Sequence, residues 1–226
     1  MAGLRLNKSK SLLIPLQGDR DDLAWVEGIP IRRLSFKYLG MWFTLLPEMT
    51  WVRNLEPLLA RTKCELAQWS KLPLNPLGRI AILKMLVLPR YLYVLQNYPH
   101  MIPTRWFRTV NSSLSVFVWW YKGARIAFRT CCRSTFQGGL GMFDVRLYYW
   151  ASQLIVVNDW FCGGWAEATY QRELAVLSVD GVLALLYGAP IPATLPEFTR
   201  VTIQSWRGAM RWTKWGGHLT RMTPDP

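Results

Sequence analysis

Acidic residues are scarce in this chain. Fourteen Asp and Glu stand against 27 Lys and Arg in 226 residues, and the pI is near 10.0. That deficit calls for a polyanionic partner, either nucleic acid or an acidic membrane surface. Cysteine is also sparse: Cys64, Cys131, Cys132 and Cys162 have neither the density nor the spacing of a secreted disulfide framework. With no apolar leader after Met1, an intracellular, reducing compartment is expected, cytoplasmic or nuclear. The only histidines are His100 and His218, and no CxxC or HxxxH pattern accompanies them, so no metal site is expected. Long hydrophobic runs are missing too. "IAILKMLVLP" at 80–89 is broken by Lys84 and falls well short of the ~20 residues that span a bilayer, which excludes an integral membrane protein. A phosphate loop is absent, because "GGLG" at 138–141 lacks the lysine such a loop needs. There is no internal repeat and no low-complexity tract.

What is present is ample apolar material, 51% of residues, enough for one or two domains. The basic charge is concentrated. Between residues 53 and 146 lie 14 Lys and Arg but only 3 Asp and Glu, so this segment carries most of the net charge of +13. The periodicities predict a mainly α-helical protein with a short N-terminal β-hairpin. Extended pieces come first: "SLLIPL" at 11–16, a polar turn around "GDRDD" at 18–22, then "IRRLSFKYLGMWF" at 31–43. Leu34, Phe36 and Tyr38 alternate with Ser35 and Lys37 as in a half-buried strand, and Gly40 permits a tight turn into Met41–Phe43.

From Asn54 the period becomes helical, with Asn54 as N-cap, Pro57 in the first turn and Leu55, Leu58, Leu59, Thr62, Leu66 and Trp69 on one stripe. "LPLNPLGRI" ends that helix. Asn75 and Pro76 start a second, which runs through Ile80, Leu83 and Val87, bends at Pro89 and continues to about Tyr98. A third begins near Pro103, with Phe107, Val110, Leu114, Phe117 and Val118 on its apolar side. Three helices in succession imply a small bundle. A basic loop, "YKGARIAFR" at 121–129, and the glycine-rich "QGGLGMFD" at 137–144 follow, and Asp144 is placed to cap the helix "VRLYYWASQLIVV". Shorter helical runs are expected around 167–178 and 196–212, with a frayed tail at "TPDP".

Four blocks in order, "AGLRLNKSKS" at 2–11, "FKYLG" at 36–40, "WSKLPLNPLGRIAILKMLVLPRYLYVLQNYPHMIP" at 69–103 and "GGLGMFDVRLYYWASQL" at 138–154, resemble the reverse transcriptase of non-LTR (LINE-type) retrotransposons. The resemblance implies part of an RNA-directed DNA polymerase in three regions. These are a palm-edge remnant at 1–50, a basic helical thumb domain at 51–130 and a post-thumb helical connector at 131–226. It also implies that Phe36, Lys37, Tyr38, Leu39 and Gly40 correspond to the primer-grip hairpin, and that the following helices close on a template–primer duplex. The family's paired catalytic aspartates lie just upstream of the block that residues 2–11 resemble. No catalytic residue is therefore expected here, and Mg²⁺ belongs only to an intact parent polymerase. Asp21 and Asp22 lie on the wrong side of the motif order to replace that pair. Met1 stands where the first block begins, which suggests a reading frame opened inside a longer, 5′-truncated element.

The candidate phosphate contacts are Lys8, Lys10, Arg61, Lys63, Lys71, Arg79, Lys84, Arg105, Arg108, Lys122, Arg125 and Arg129. Not all can face one groove, since Arg61 and Lys63 lie about 200° apart on a helical wheel. Trp119 and Trp120 beside the basic loop are candidate stacking platforms, against the general tendency of tryptophan to serve the core. The expected activity is binding of a template–primer duplex without catalysis. The missing palm and fingers of the parent enzyme form a second possible partner. Two alternatives are an inert truncated product and a peripheral membrane protein with a basic, tryptophan-rich surface.

Overall fold

The computed structural model describes residues 6–14, 25–32, 34–120, 122–162 and 179–213. The acidic turn at 18–22, with Asp21 and Asp22, and the expected helical run at 167–178 lie outside them, as do His218 and the "TPDP" tail. The described part is mainly helical, and the chain divides into two units, Met1–Leu58 and Leu59–Pro226.

The first unit holds two small antiparallel hairpins. β1 (Trp25–Val26) pairs with β2 (Ile29–Pro30) across Glu27 and Gly28, whose φ angles are 50° and 78°. Two central residues with positive φ make the tight turn whose twist suits a two-residue hairpin. Leu13 bridges to Ile31 alongside, and Asn7 caps a short 3₁₀ turn at Lys8–Lys10. β3 (Ser35–Tyr38) pairs with β4 (Met41–Thr44) and turns through Leu39 and Gly40, with φ of 46° and 88°. The expected hairpin is present, but the expected burial of alternate residues is not. Phe36 is half-buried and stacks on Phe43 at 5.3 Å, whereas Leu34 and Tyr38 are exposed. Burial follows the cross-strand ring pair and Met41 rather than the whole alternating face.

Helix α1 runs from Pro47 to Trp69, starting seven residues before the expected cap. Asn54 is therefore inside the helix, where its carboxamide takes a different task. Oδ1 accepts from the Trp42 N–H at 2.9 Å and Nδ2 donates to the Trp42 carbonyl at 2.8 Å. The outward-facing backbone of β4 at Trp42 is satisfied as if by another strand, and Asn54 is buried in the process. Pro57 likewise stands mid-helix rather than in the first turn. It is exposed, so water can serve the carbonyl its missing N–H leaves unpaired.

In the second unit, Asn75 does cap α2 (Pro76–Ile82), its Oδ1 accepting from the Gly78 N–H at 2.8 Å. The helix then widens into a π-turn at Leu83–Val87 and resumes as α3 (Leu88–Asn97), with Pro89 in the first turn. The Leu88 N–H reaches back five residues to the Leu83 carbonyl. Pro89 offers no N–H and its ring crowds the preceding turn, so the expected irregularity is real but takes the form of a wider turn just before the proline. α4 (Thr104–Val118) buries Phe107, Val110, Leu114, Phe117 and Val118 as expected, together with Trp106.

The chain continues through α5 (Phe128–Cys131), α6 (Val145–Cys162), α7 (Val179–Leu186) and α8 (Glu197–Thr213). Asp144 caps α6 through its Oδ1, which accepts from the Arg146 N–H at 2.9 Å. The loop before it needs glycine at 139, because a Cβ there would lie 2.1 Å from the Arg133 carbonyl oxygen. α6 packs on α3, α4 and α8, and α7 joins α6 and α8 around Val157, Trp160, Leu185, Leu186, Ile203 and Trp206. Among the described residues no helix is long and apolar enough to cross a membrane.

Candidate nucleic-acid interface

The twelve cations singled out by the sequence separate into three kinds of environment. Arg79 is not a surface residue at all. It is fully buried, and its guanidinium donates to the carbonyls of Leu74 (3.2 Å), Phe117 (3.0 Å), Ser70 (3.0 Å) and Leu72 (3.2 Å). Ser70, Leu72 and Leu74 follow the end of α1 and Phe117 lies in the last turn of α4, so the guanidinium sits at two helix C-termini, where the macrodipole is negative. The same guanidinium is stacked between the rings of Phe117 and Trp120, at 4.7 and 4.6 Å from their centroids. The expectation that Arg79 touches phosphate is corrected: its donors are spent on tying two helix ends together.

Arg61 is exposed but is shared with Glu65, 2.8 Å away, and Arg90 binds the same carboxylate through both terminal nitrogens. The hydrogen bonds from Arg90, and after them the one from Arg61, hold the Glu65 carboxyl below the usual carboxylate range against the opposing effect of burial. Two cations thus share one anion. Lys63 and Lys71 are exposed, as are Lys8 and Lys10 in the first unit. Lys37 of β3 lies with its Nζ 5.9 Å over the Trp42 ring, whose centroid is also 4.6 Å from the Arg53 guanidinium. Arg53 was not a sequence candidate, and it further donates to Ser35 Oγ at 3.0 Å.

The third environment is the region around the basic loop. An open groove of about 590 Å³ is lined by Arg108, Asn111, Ser112 and Ser115 of α4, by Gly123, and by Asp144 and Arg146 at the start of α6. Its carboxylate is already engaged, since Asp144 Oδ1 accepts from Asn111 Nδ2 at 2.8 Å and from the Arg146 N–H. A second cavity of about 380 Å³ is lined by Pro76, Trp119, Trp120, Lys122 and Arg125. Lys122, Arg125, Arg129 and Arg133 are all exposed, and no acidic residue occurs between 122 and 143. Arg105 and Arg108 are exposed three residues apart on α4. Lys84 is exposed and its Nζ comes close to Gly141.

Aromatic rings are interleaved with these cations. Arg146 lies 4.6 Å over Trp150, Trp150 meets Trp212 edge-on at 6.3 Å, and Arg129 lies 5.8 Å over Trp212. Arg133 and Arg146 were not sequence candidates. The proximity of Arg146 to the loop depends on how the 132–146 segment folds back, which no local pattern announces. Burial raises the thiol of Cys131 and pushes that of Cys132 up to about 12, with the Asp144 carboxylate adding to the latter. Neither is an activated nucleophile. Among the described residues no group of three His, Cys, Asp or Glu side chains could hold a metal ion. A comparison with models of known protein families finds no match.

Proposed function

We propose that this chain binds the phosphate backbone of a template–primer duplex, as the part of a LINE-type reverse transcriptase that follows the catalytic strands. The observation that carries the reading is the meeting of α4, the basic segment 122–133 that includes α5, and the start of α6. There Arg108 and Arg146 line one groove and Lys122 and Arg125 line the neighbouring cavity, while the single carboxylate among these walls is bound internally. Guanidinium and ammonium groups facing solvent with hydroxyl and amide donors between them suit phosphate oxygens. They carry no arrangement that reads base edges. Binding is therefore electrostatic and nearly indifferent to sequence. With roughly 6 to 10 phosphate contacts, affinity falls by about 10³ to 10⁵ between about 50 and 200 mM salt. Fluorescence anisotropy with two duplexes of unrelated sequence measures this directly. Equal affinities with a steep salt slope are the expected result, and a flat salt response defeats the reading.

A further inference from the structure

Trp120 occupies an unusual place. It follows the last turn of α4 with φ of 52°, in the left-handed region where glycine normally ends a helix, so a large ring is kept at a position that strains its backbone. One reason for the ring lies inside the protein, where the Arg79 guanidinium stacks 4.6 Å from its centroid. The ring nevertheless remains 38% exposed and joins Trp119 and Pro76 in the walls of the 380 Å³ cavity, with Lys122 and Arg125 completing them. Aromatic walls, a proline and two cations make a cavity suited to a flat π system carrying a negative charge.

We propose that this cavity is a site for one unpaired nucleobase, stacked on the outward side of Trp120, with its phosphate held by Lys122 and Arg125. The proposal rests on the duplex-binding reading and adds a substrate class to it: a duplex bearing a single-stranded end rather than a blunt one. Stacking on an aromatic ring tolerates any base, so the site contributes affinity without sequence preference. The guanidinium behind Trp120 fixes the ring before a ligand arrives. Arg79 is itself fixed by four carbonyls, so the platform is rigid.

The test compares a blunt DNA duplex, the same duplex with a short thymine overhang, and one whose overhang is abasic, each with the full chain. The overhang should tighten binding about tenfold over the blunt duplex, and the abasic overhang, which keeps only the phosphate, should lose most of that gain. Trp120→Phe should retain part of the gain, while Lys122→Gln/Arg125→Gln should reduce it and also weaken blunt-duplex binding, since both residues belong to the duplex-binding walls. The abasic probe decides the matter even if Trp120 variants fold poorly. Blunt-duplex binding with no overhang gain overturns the base site and leaves the duplex reading standing. A gain that survives undiminished in the abasic probe also overturns the base site, since phosphate alone would then explain it. An overhang gain lost on the abasic probe, with no measurable blunt binding, supports the base site and overturns the duplex reading. No binding to any of the three overturns both.

Discussion

Arg79 Nη1 donates to the Phe117 carbonyl oxygen at 3.0 Å across 38 residues of sequence, and the Phe117 ring lies against the same guanidinium. One side chain therefore joins the start of α2 to the end of α4. Loss of this arginine removes a donor from the buried Phe117 carbonyl and from three part-buried ones, and opens a cavity. Arg79→Ala should cost about 3 kcal/mol or more. Arg79→Lys should also destabilise, because an ammonium cannot reproduce the planar fork. Urea unfolding measures both, and wild-type stability in either variant would contradict the arrangement.

Arg105 and Arg108 should behave in the opposite way. Both are exposed on α4, and neither is part of the buried stripe that includes Phe107 and Val110. Arg105→Gln/Arg108→Gln should leave the unfolding midpoint within about 0.5 kcal/mol of wild type. The same pair should reduce the salt slope of duplex binding by roughly two contacts and weaken every duplex alike. Sequence-selective weakening would argue against backbone binding.

Removal of the Asn54 carboxamide tests the first unit alone. Asn54→Ala leaves the Trp42 N–H and carbonyl without their partners and should cost about 1–3 kcal/mol. Hydrogen exchange resolves the location: the Trp42 amide should lose protection, while amides of α4 and α6 keep theirs. Uniform loss throughout the chain would mean that Asn54 does more than hold β4.

Alkaline pH should unfold the second unit through its tyrosines. Burial pushes Tyr91 and Tyr149 up to about 12, from an unfolded value near 10. Between those limits the unfolded chain has released protons that the folded chain still holds, so stability is full below pH 10 and falls as pH rises toward 12. Absorbance of tyrosinate near the unfolding transition reports it. Tyr91→Phe should flatten the pH dependence, and an unchanged curve would locate the effect elsewhere.

Helices with clear caps or apolar stripes were readable from local pattern: Asn75 and Asp144 cap as expected, and the buried side of α4 follows its 3.6-residue period. Asn54 misled because a residue type that favours caps also serves any unpaired backbone brought near it, and only tertiary contact with Trp42 reveals which applies. The β1–β2 turn had a visible signal in Glu27-Gly28 between two apolar pairs, but its strands are only two residues long. At the candidate interface, exposed cations such as Arg108 and Arg125 could be nominated from charge alone. Arg79 could not be told from them, since its burial depends on two helix ends converging from opposite sides of the sequence.

The π-turn at Leu83–Val87 acts as a phase correction. Leu83, Val87, Tyr91 and Leu95 are fully buried at intervals of four residues, and on an unbroken α-helix each such step overshoots a full turn by about 40°. Three steps would carry Leu95 about a third of a revolution away from Leu83. The wide turn absorbs most of that drift, so residues on both sides of it can share one packed line. The surplus residue is thus as much a part of the hydrophobic pattern as the leucines themselves. Without the wide turn, everything from Leu88 to Asn97 would be rotated by about 100°, one residue's step, and Arg90 would take the angular place of Tyr91.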